Sequence, residues 1–319
     1  MKHTTTLVLL LVGIFFLSSV ANGQDYRKSE IKTETIKTDT ISVSENGTIE
    51  TATTYRVFNK QEPIPDFTYS FKPFASLVQV SFKDWADGGV NSLAWSTGLL
   101  AKSMHKFNNM TWRNRLELKF GQTKSDDVDL RKTSDIIDFE SKLNYGKSIF
   151  KPEVIATLRT QFAPGYDYDA SGEPQISAFF DPAYLIQSIG LSYREHDNLD
   201  AFLGIAFREI IASTYTNFSD DPDTDEIDKV NFKTGIRASA NTEFDIMEDM
   251  TFESRLQLFS AFDQLDTWDV DSRSMLRMKI NSYLQTNLGL YLLFQKNASE
   301  RLQIQQTIEL SFNYTISNF

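Results

Sequence analysis

The chain has 319 residues, 41% of them hydrophobic and 13% aromatic, with a formal net charge of −11 and a pI near 4.9. An acidic balance of this size excludes nucleic acid as a partner, because phosphate binding needs a basic surface. The chain has no Cys, so an exported protein of this length must be held by a large core or a closed sheet rather than by disulfides.

Residues 1–23 read as a secretory signal peptide. Lys2 and His3 make a polar start, Leu7 to Phe16 is an apolar run, and Ser18, Ser19, Ala21 and Gly23 supply small residues for cleavage. The run is too short to span a bilayer, which takes about twenty apolar residues. Cleavage is expected after Gly23, leaving Gln24 first. No Cys stands at the cut, which excludes a lipid anchor. Beyond Gly23 the longest apolar runs, such as Leu288 to Phe294, are strand-sized. The mature chain is therefore either soluble in an exported compartment or a β-barrel, since only helices and closed barrels satisfy their backbone groups in lipid.

Residues 24–72 are rich in Thr, Lys, Glu and Ser, as in Lys28, Glu30, Lys32, Thr33, Glu34 and Thr35. This composition reads as a flexible, extended or disordered periplasmic lead-in. Asn46-Gly47, flanked by Ile41, Val43 and Ile49, suits a small hairpin.

From about Phe74 onward the pattern has period two. In the last strand Leu302, Ile304, Ile308, Leu310, Phe312, Tyr314 and Ile316 occupy even positions, with Gln303, Gln305, Thr307, Glu309, Ser311, Asn313 and Thr315 between them. Such alternation gives a strand one apolar and one polar face. Trp112, Leu116, Leu118 and Phe120 alternate likewise with Arg113, Arg115, Glu117 and Lys119. We expect twelve strands, near 74–82, 92–106, 110–120, 134–146, 151–162, 183–194, 199–210, 230–246, 250–262, 270–280, 284–295 and 302–316. Most are about ten to fifteen residues, the length that crosses a bilayer at a tilt. Strands of a soluble sandwich usually have about five or six. The connections alternate between long (121–133, 163–182, 211–229) and short (107–109, 147–150, 195–198, 247–249), as in outer-membrane barrels. The fold class is thus all-β, an up-and-down antiparallel transmembrane barrel spanning residues 73–319. An even strand count puts both barrel termini in the periplasm. Phe179, Phe180 and Tyr184 at the outer end, with Tyr145, Tyr193 and Phe312 at the inner end, suit interfacial girdles. The terminal Phe319 is out of phase with the last strand, and a bend at Ser317-Asn318 would correct it.

Three motifs carry a resemblance. Trp85-Ala86-Asp87-Gly88-Gly89-Val90-Asn91-Ser92-Leu93, Thr160-Gln161-Phe162-Ala163-Pro164-Gly165-Tyr166 and Phe179-Phe180-Asp181-Pro182-Ala183-Tyr184-Leu185 follow in order. Together they resemble an outer-membrane family of Bacteroidota catalogued as domain of unknown function 3078. The resemblance covers about Phe74 to Phe319. It implies a barrel in the outer membrane of a Bacteroidota bacterium, and no activity. Gly88-Gly89 suits a tight loop, and Pro164-Gly165 ends a strand.

No catalytic constellation stands out, and the chain is not expected to be an enzyme. The mature histidines are His105 and His196, both at expected periplasmic strand ends. A Ser-His hydrolase near the outer leaflet would need its base there. Two His and no Cys also make a transition-metal site improbable. Asp220, Asp221, Asp223, Asp225 and Glu226 form one acidic outer loop, and Asp126, Asp127 and Asp129 a second. Carboxylate clusters can hold Ca²⁺ or Mg²⁺, but the spacing fits no EF-hand, and a solvated, self-repelling loop is the plainer reading. No metal and no cofactor are expected.

The lumen is the informative surface. Arg113, Arg115, Lys119, Lys142, Arg159, Arg208, Lys233, Arg237, Arg255, Arg273, Arg277 and Lys279 point inward by register. So do Glu117, Asp138, Glu140, Glu153, Asp200, Glu243, Asp245, Glu253 and Glu309. The signs nearly balance, with a slight basic excess. Two readings follow. One is a narrow channel or transporter for small polar solutes. The other is a non-conducting structural or interaction barrel, salt-bridged inside, that acts through its loops or periplasmic segment. Expected partners are outer-membrane lipids and lipopolysaccharide, the barrel-assembly machinery during insertion, and an unidentified protein.

Overall fold

The computed structural model describes residues 32–43, 49–60, 65–80, 91–126, 128–194, 198–220, 225–295 and 299–318. The expected signal peptide, Asn46-Gly47, the 85–90 part of the first motif, Asp127, His196, Asp221, Asp223 and Phe319 lie outside them. The chain divides into two compact units, with residues 69–317 forming one.

In the other unit, β1 (Lys32–Val43) and β2 (Ile49–Lys60) pair antiparallel along their whole length, from Lys32 opposite Lys60 to Val43 opposite Ile49. This is more order than the composition suggested. The Thr residues that lower its hydrophobicity are β-branched and favour strands, as do Ile36, Ile41, Tyr55 and Val57.

The larger unit is an up-and-down meander. It runs through β3 (Phe67–Val80), β4 (Ser92–Phe107), β5 (Met110–Ser125), β6 (Val128–Tyr145) and β7 (Phe150–Thr160). A small hairpin follows, β8 (Gly165–Tyr166) and β9 (Gln175–Ser177). The wall resumes with β10 (Ala183–Tyr193), β11 (Leu199–Ile211), β12 (Val230–Met247), β13 (Met250–Ala261) and β14 (Asp269–Lys279). It ends with β15 (Leu284–Gln295), β16 (Ser299–Asn313) and the short β17 (Ile316–Ser317). Each wall strand pairs with the next, and β16 and β17 return to β3. The result is a closed barrel of twelve antiparallel strands.

The barrel is inside-out relative to a soluble protein. On β11, Phe202 is 4% exposed and its neighbour Leu203 is 61% exposed. Arg237 is 1% exposed, whereas Ile189, on the outer face of β10, is 57% exposed. Large aliphatic side chains on the outside with charges inside is the polarity that lipid requires. Wall strands of 11–18 residues reach or exceed the roughly 9–11 needed to cross at a tilt.

Tight turns gather at one end. Phe107 faces Met110 across Asn108-Asn109, and Met247 faces Met250 across Glu248-Asp249. Asn108 has φ 53°, a left-handed conformation that Asn tolerates in such turns. Long connections, 161–182 and 212–229, gather at the other end. These are called the turn side and the loop side below.

Several boundaries differ from expectation. β3 begins at Phe67, because Phe67, Tyr69 and Phe71 already alternate with Thr68, Ser70 and Lys72. Pro73 does not break the strand. It sits in the closing strand, which tolerates a missing N–H, and its carbonyl accepts from Tyr314 N at 3.2 Å. The stretch 121–133 is not a loop. β5 and β6 continue through register shifts at Gly121/Gln122 and Thr123/Ser125 until Ser125 faces Val128. The C-terminal residues keep one register against β3, from Ser311 opposite Ser76 to Asn313 opposite Phe74 and again from Ile316 opposite Phe71 to Ser317 opposite Ser70; Ile316 is exposed and Asn318 buried.

Aromatic rings collect on the turn side. Phe150 lies 5.2 Å from Tyr193, Phe244 lies 5.4 Å from Phe252, and Tyr283 stacks with both Phe312 and Tyr314. Tyr184 does not join a lipid-facing girdle. It lies opposite Arg159 and lines a cavity inside the barrel.

Candidate functional site

The alternation that builds the wall also decides what fills it. Along β6 the even residues Asp138, Glu140, Lys142 and Asn144 are all buried. Two and three strands away, the inner wall carries small residues, Ser188, Gly190 and Ser192 on β10 and Gly204 and Ala206 on β11. Gly190 and Gly204 are direct partners, and a Cβ on Gly204 would come within 2.3 Å of Ile189 O. This small-residue wall leaves room for long arginine side chains.

Those side chains meet across the lumen. Arg273 on β14 donates to Asp138 on β6 at 2.9 Å. The two strands lie six places apart in a ring of twelve, on opposite walls. Arg159 on β7 donates to the Tyr291 hydroxyl on β15, also opposite, at 2.9 Å, and to Asp271 on β14 at 3.0 Å. Lys102 on β4 reaches Glu243 on β12, a third opposite pair, at 3.5 Å. Arg255 on β13 donates to Glu140 on β6 at 3.4 Å. Only a narrow lumen lets side chains from facing walls touch, and these pairs bridge it at several heights.

Shorter-range pairs complete the network. Arg115 binds Glu117 at 2.6 Å and lies 3.8 Å from Asp138. Lys142 lies 3.6 Å from Glu140 and donates to Asp200 at 3.2 Å, where Arg194 also binds, at 2.8 Å. Arg113 lies 3.9 Å from Glu153, which also accepts from Asn144. Arg237 donates to Ser188 at 3.2 Å and to Gln257 at 3.3 Å. Lys119 pairs with Glu309 at 2.6 Å. Arg208 pairs with Asp269, and Arg277 with Glu253. Lys233 sits opposite Arg208 in register, without an ion pair among the described residues. Lys279 and Asp245 are exposed at the turn-side rim.

Sequence reasoning missed two acids at the centre of this network. Asp269 and Asp271 share the inward phase of Arg273, and Asp271 also accepts from Arg273 at 3.1 Å. Lys72, which donates to Gln285 at 3.1 Å, was missed because its strand was expected to start later.

Above the ion pairs, on the loop side, is a cavity of about 340 Å³ lined by Tyr184, Ile186, Arg208, Phe259, Asp271 and neighbours. Arg208 lies over the Phe259 ring at 4.1 Å. Two of the sequence motifs organise the rim above it. The Asp181 carboxylate accepts from Ser213 N at 3.1 Å, Ser213 Oγ at 2.9 Å and Thr214 N at 2.8 Å, joining the 161–182 loop to the 212–229 loop. Gln161 Nε2 donates to Ala178 O at 2.8 Å, and Thr160 Oγ1 to Pro182 O at 3.0 Å. Phe162 N and Ala163 N donate to Asp135, which Lys132 also binds. From the first motif, Asn91 Nδ2 donates to Asp126 at 2.6 Å, tying down one of the expected acidic loop residues. Asp220 likewise accepts from Asp228 N at 2.9 Å. His105 lies against Phe107 near a turn-side strand end, with ring centroids 5.2 Å apart. Among the described residues no three His, Cys, Asp or Glu side chains converge as a metal site.

A closed barrel with an aliphatic exterior and an ionic interior defines the chain as a transmembrane β-barrel of the outer-membrane type. A family model described as protein of unknown function (DUF3078) matches residues 77–166. No curated protein matches the chain. Among solved structures it is similar to an outer membrane channel from Pseudomonas putida F1, with 10% identity, 80% of this chain and 96% of that one covered, and a TM-score of 0.37. It is also similar to the NanC porin (12% identity, 76% and 98% covered, TM-score 0.35). A third is the translocator domain of the autotransporter NalP from Neisseria meningitidis (8% identity, 78% and 87% covered, TM-score 0.31).

Proposed function

We propose that this protein is an outer-membrane barrel that does not conduct along its axis at rest and acts through its loop-side cavity and the ordered loops above it. The observation that carries this reading is the contact between opposite walls, Arg273 to Asp138 at 2.9 Å. An open pore keeps facing walls apart, with water between them. Here a layer of ion pairs takes the place of that water. The reading includes export by a cleaved signal peptide, membership of the DUF3078 family, barrel termini on the periplasmic side, and no catalytic role.

Transport of small polar solutes is the second reading. It is favoured by the partial solvent exposure of Arg159 and Asp271, whose side chains are 34% and 24% exposed. Transport would require the cross-lumen pairs to part. Single-channel recording of refolded protein in a planar bilayer separates the two. Silence from inserted protein, together with openings once Arg159 and Arg273 are replaced by Ala, is the expected result. Steady wild-type conductance with a defined reversal potential in a salt gradient would overturn the closed-lumen reading.

A further inference from the structure

One patch of the inner wall is apolar. Ala206 on β11 and Ala261 on β13 flank Gly235 of β12 in register. Both alanines and Phe259 are buried together, and Ile186 of β10 packs against them. Ile186 and Phe259 also line the loop-side cavity of about 340 Å³. The cavity therefore has an apolar side within a lumen whose other walls carry charges.

At the inner end of that side lies a cation without an acid. Arg208 stands opposite Lys233, and Arg237 comes four residues further along β12, toward the turn side. Arg237 lines the same cavity and is 1% exposed. The other arginines of the lining are answered by carboxylates, Arg159 by Asp271, Arg208 by Asp269 and Arg273 by Asp138. Arg237 donates only to two neutral acceptors, Ser188 Oγ at 3.2 Å and Gln257 Oε1 at 3.3 Å, and has no ion pair among the described residues. The acids whose charge reaches it are engaged elsewhere, Glu140 with Arg255, Asp138 with Arg273 and Glu153 with Arg113. Its Nε is buried with no partner. Gln257 turns Oε1 to Arg237, which leaves its amide N–H groups without a partner among the described residues. The inner end of the cavity thus holds unused donors on a buried positive charge, and leaving such a charge uncompensated is costly.

We propose that the loop-side cavity binds a small monocarboxylate with an apolar body, its carboxylate on Arg237 and Gln257 and its body against Ile186 and Phe259. This rests on the reading that the protein acts through that cavity, and it adds the class of ligand. A carboxylate is an acceptor-only group with one negative charge, which matches donors that lack an acid. Its plane also suits the guanidinium fork. A cationic ligand would meet Arg237 unfavourably. A second carboxylate at the outer end would meet Asp269 and Asp271, whose own partners Arg208 and Arg159 are already taken. The volume lies near the lower end of ligand pockets and takes roughly a dozen non-hydrogen atoms.

The test is isothermal titration calorimetry of the refolded full-length barrel in maltoside micelles, with 4-phenylbutyrate as the probe. Saturable one-to-one binding is expected. 4-Phenylbutanol keeps the body and lacks the charge. It should bind at least ~10-fold more weakly, because a hydrogen bond to a charged group is worth that factor or more. Acetate keeps the charge and lacks the body, and it should also bind at least ~10-fold more weakly. Arg237→Met removes the donors at similar length and should lose at least ~10-fold in affinity for the acid while leaving the alcohol unchanged. Ile186→Trp fills the cavity with Arg237 in place and should abolish binding, so that any heat remaining is partition into micelles. Folding of each variant is checked by its electrophoretic mobility with and without boiling. Equal affinity for the acid and the alcohol, or unchanged binding of the acid by Arg237→Met, would overturn the proposal. Acetate binding as tightly as 4-phenylbutyrate would leave a bare anion site and overturn it as well. Absence of binding by a barrel that is silent in a planar bilayer would overturn the ligand and leave the closed lumen standing. Binding by a barrel that conducts would overturn the closed lumen and leave the ligand standing.

Discussion

Arg273→Ala tests whether the lumen is tied shut. The Arg273 and Asp138 side chains are 23% and 11% exposed and 2.9 Å apart, so the pair is largely desolvated. Removing one partner of a buried pair costs about 3–5 kcal/mol, chiefly because the other charge is left uncompensated. Here the loss is softened, since Asp138 keeps Arg115 at 3.8 Å and Asp271 keeps Arg159 at 3.0 Å. We therefore expect the low end, about 3 kcal/mol. Asp138→Ala should cost a similar amount, and the double variant clearly less than the sum, with a coupling of about 1.5–3 kcal/mol. Replacing the pair together by Leu at 138 and Met at 273 should be nearly neutral, as apolar replacements of buried ion pairs often are. The assay is reversible urea unfolding from lipid vesicles, followed by tryptophan fluorescence. A coupling below roughly 0.5 kcal/mol, within the usual additivity error for separate sites, would show that the two walls do not touch.

Leu203→Arg, at the centre of β11 on the outer face, should cost about 2–4 kcal/mol in vesicles, as charges at the bilayer midplane do. A cost within about 0.5 kcal/mol, typical of a water-exposed surface position, would argue against a lipid-facing wall. Asp181→Ala removes the acceptor of three hydrogen bonds from Ser213 and Thr214. It should raise the rate of protease cleavage within 161–182 and 212–229 while the barrel keeps its heat-modifiable mobility; unchanged cleavage would mean that Asp181 does not hold the loops. Edman sequencing of the protein from outer-membrane fractions should begin at Gln24, and a start at Met1 would contradict signal-peptide cleavage.

Much of the wall was legible because alternation is a local signal. The runs at 110–120, 250–262 and 284–295 fix face and direction without knowledge of neighbours, and the strands observed there begin at the same residues. Where the local signal is interrupted, the reading shifted. The first strand was expected from 74 although β3 begins at Phe67, and the bulged, charged stretch 121–133 looked like a loop although it continues β5 and β6. In residues 32–60, Thr counted as polar in composition but acts as a strand former. The roles of Gln161 and Asp181 lay beyond local reading, since their partners sit 17 to 33 residues away in loops.

The cross-lumen pairs illustrate a different kind of limit. Phase alone says that Asp138 and Arg273 face inward, and nothing in either strand says that they meet, because 135 residues separate them. Strand count supplies the missing relation. In a closed meander of twelve strands the fourth and the tenth must lie on opposite walls, and β6 and β14 hold those places. The same arithmetic sets β4 against β12 and β7 against β15, and each of these pairs carries a contact between opposite walls, Lys102 with Glu243 and Arg159 with Tyr291. Counting strands therefore constrains which inward residues can become partners, and the narrow lumen of a twelve-stranded barrel turns that constraint into contact. The seam obeys the opposite logic. The first and last strands are neighbours by closure alone, with no hairpin turn to fix their register, so this is where a meander closes with least local help. Among the described residues, Ser311 to Asn313 and Ile316 to Ser317 are the ones that pair with β3 across it.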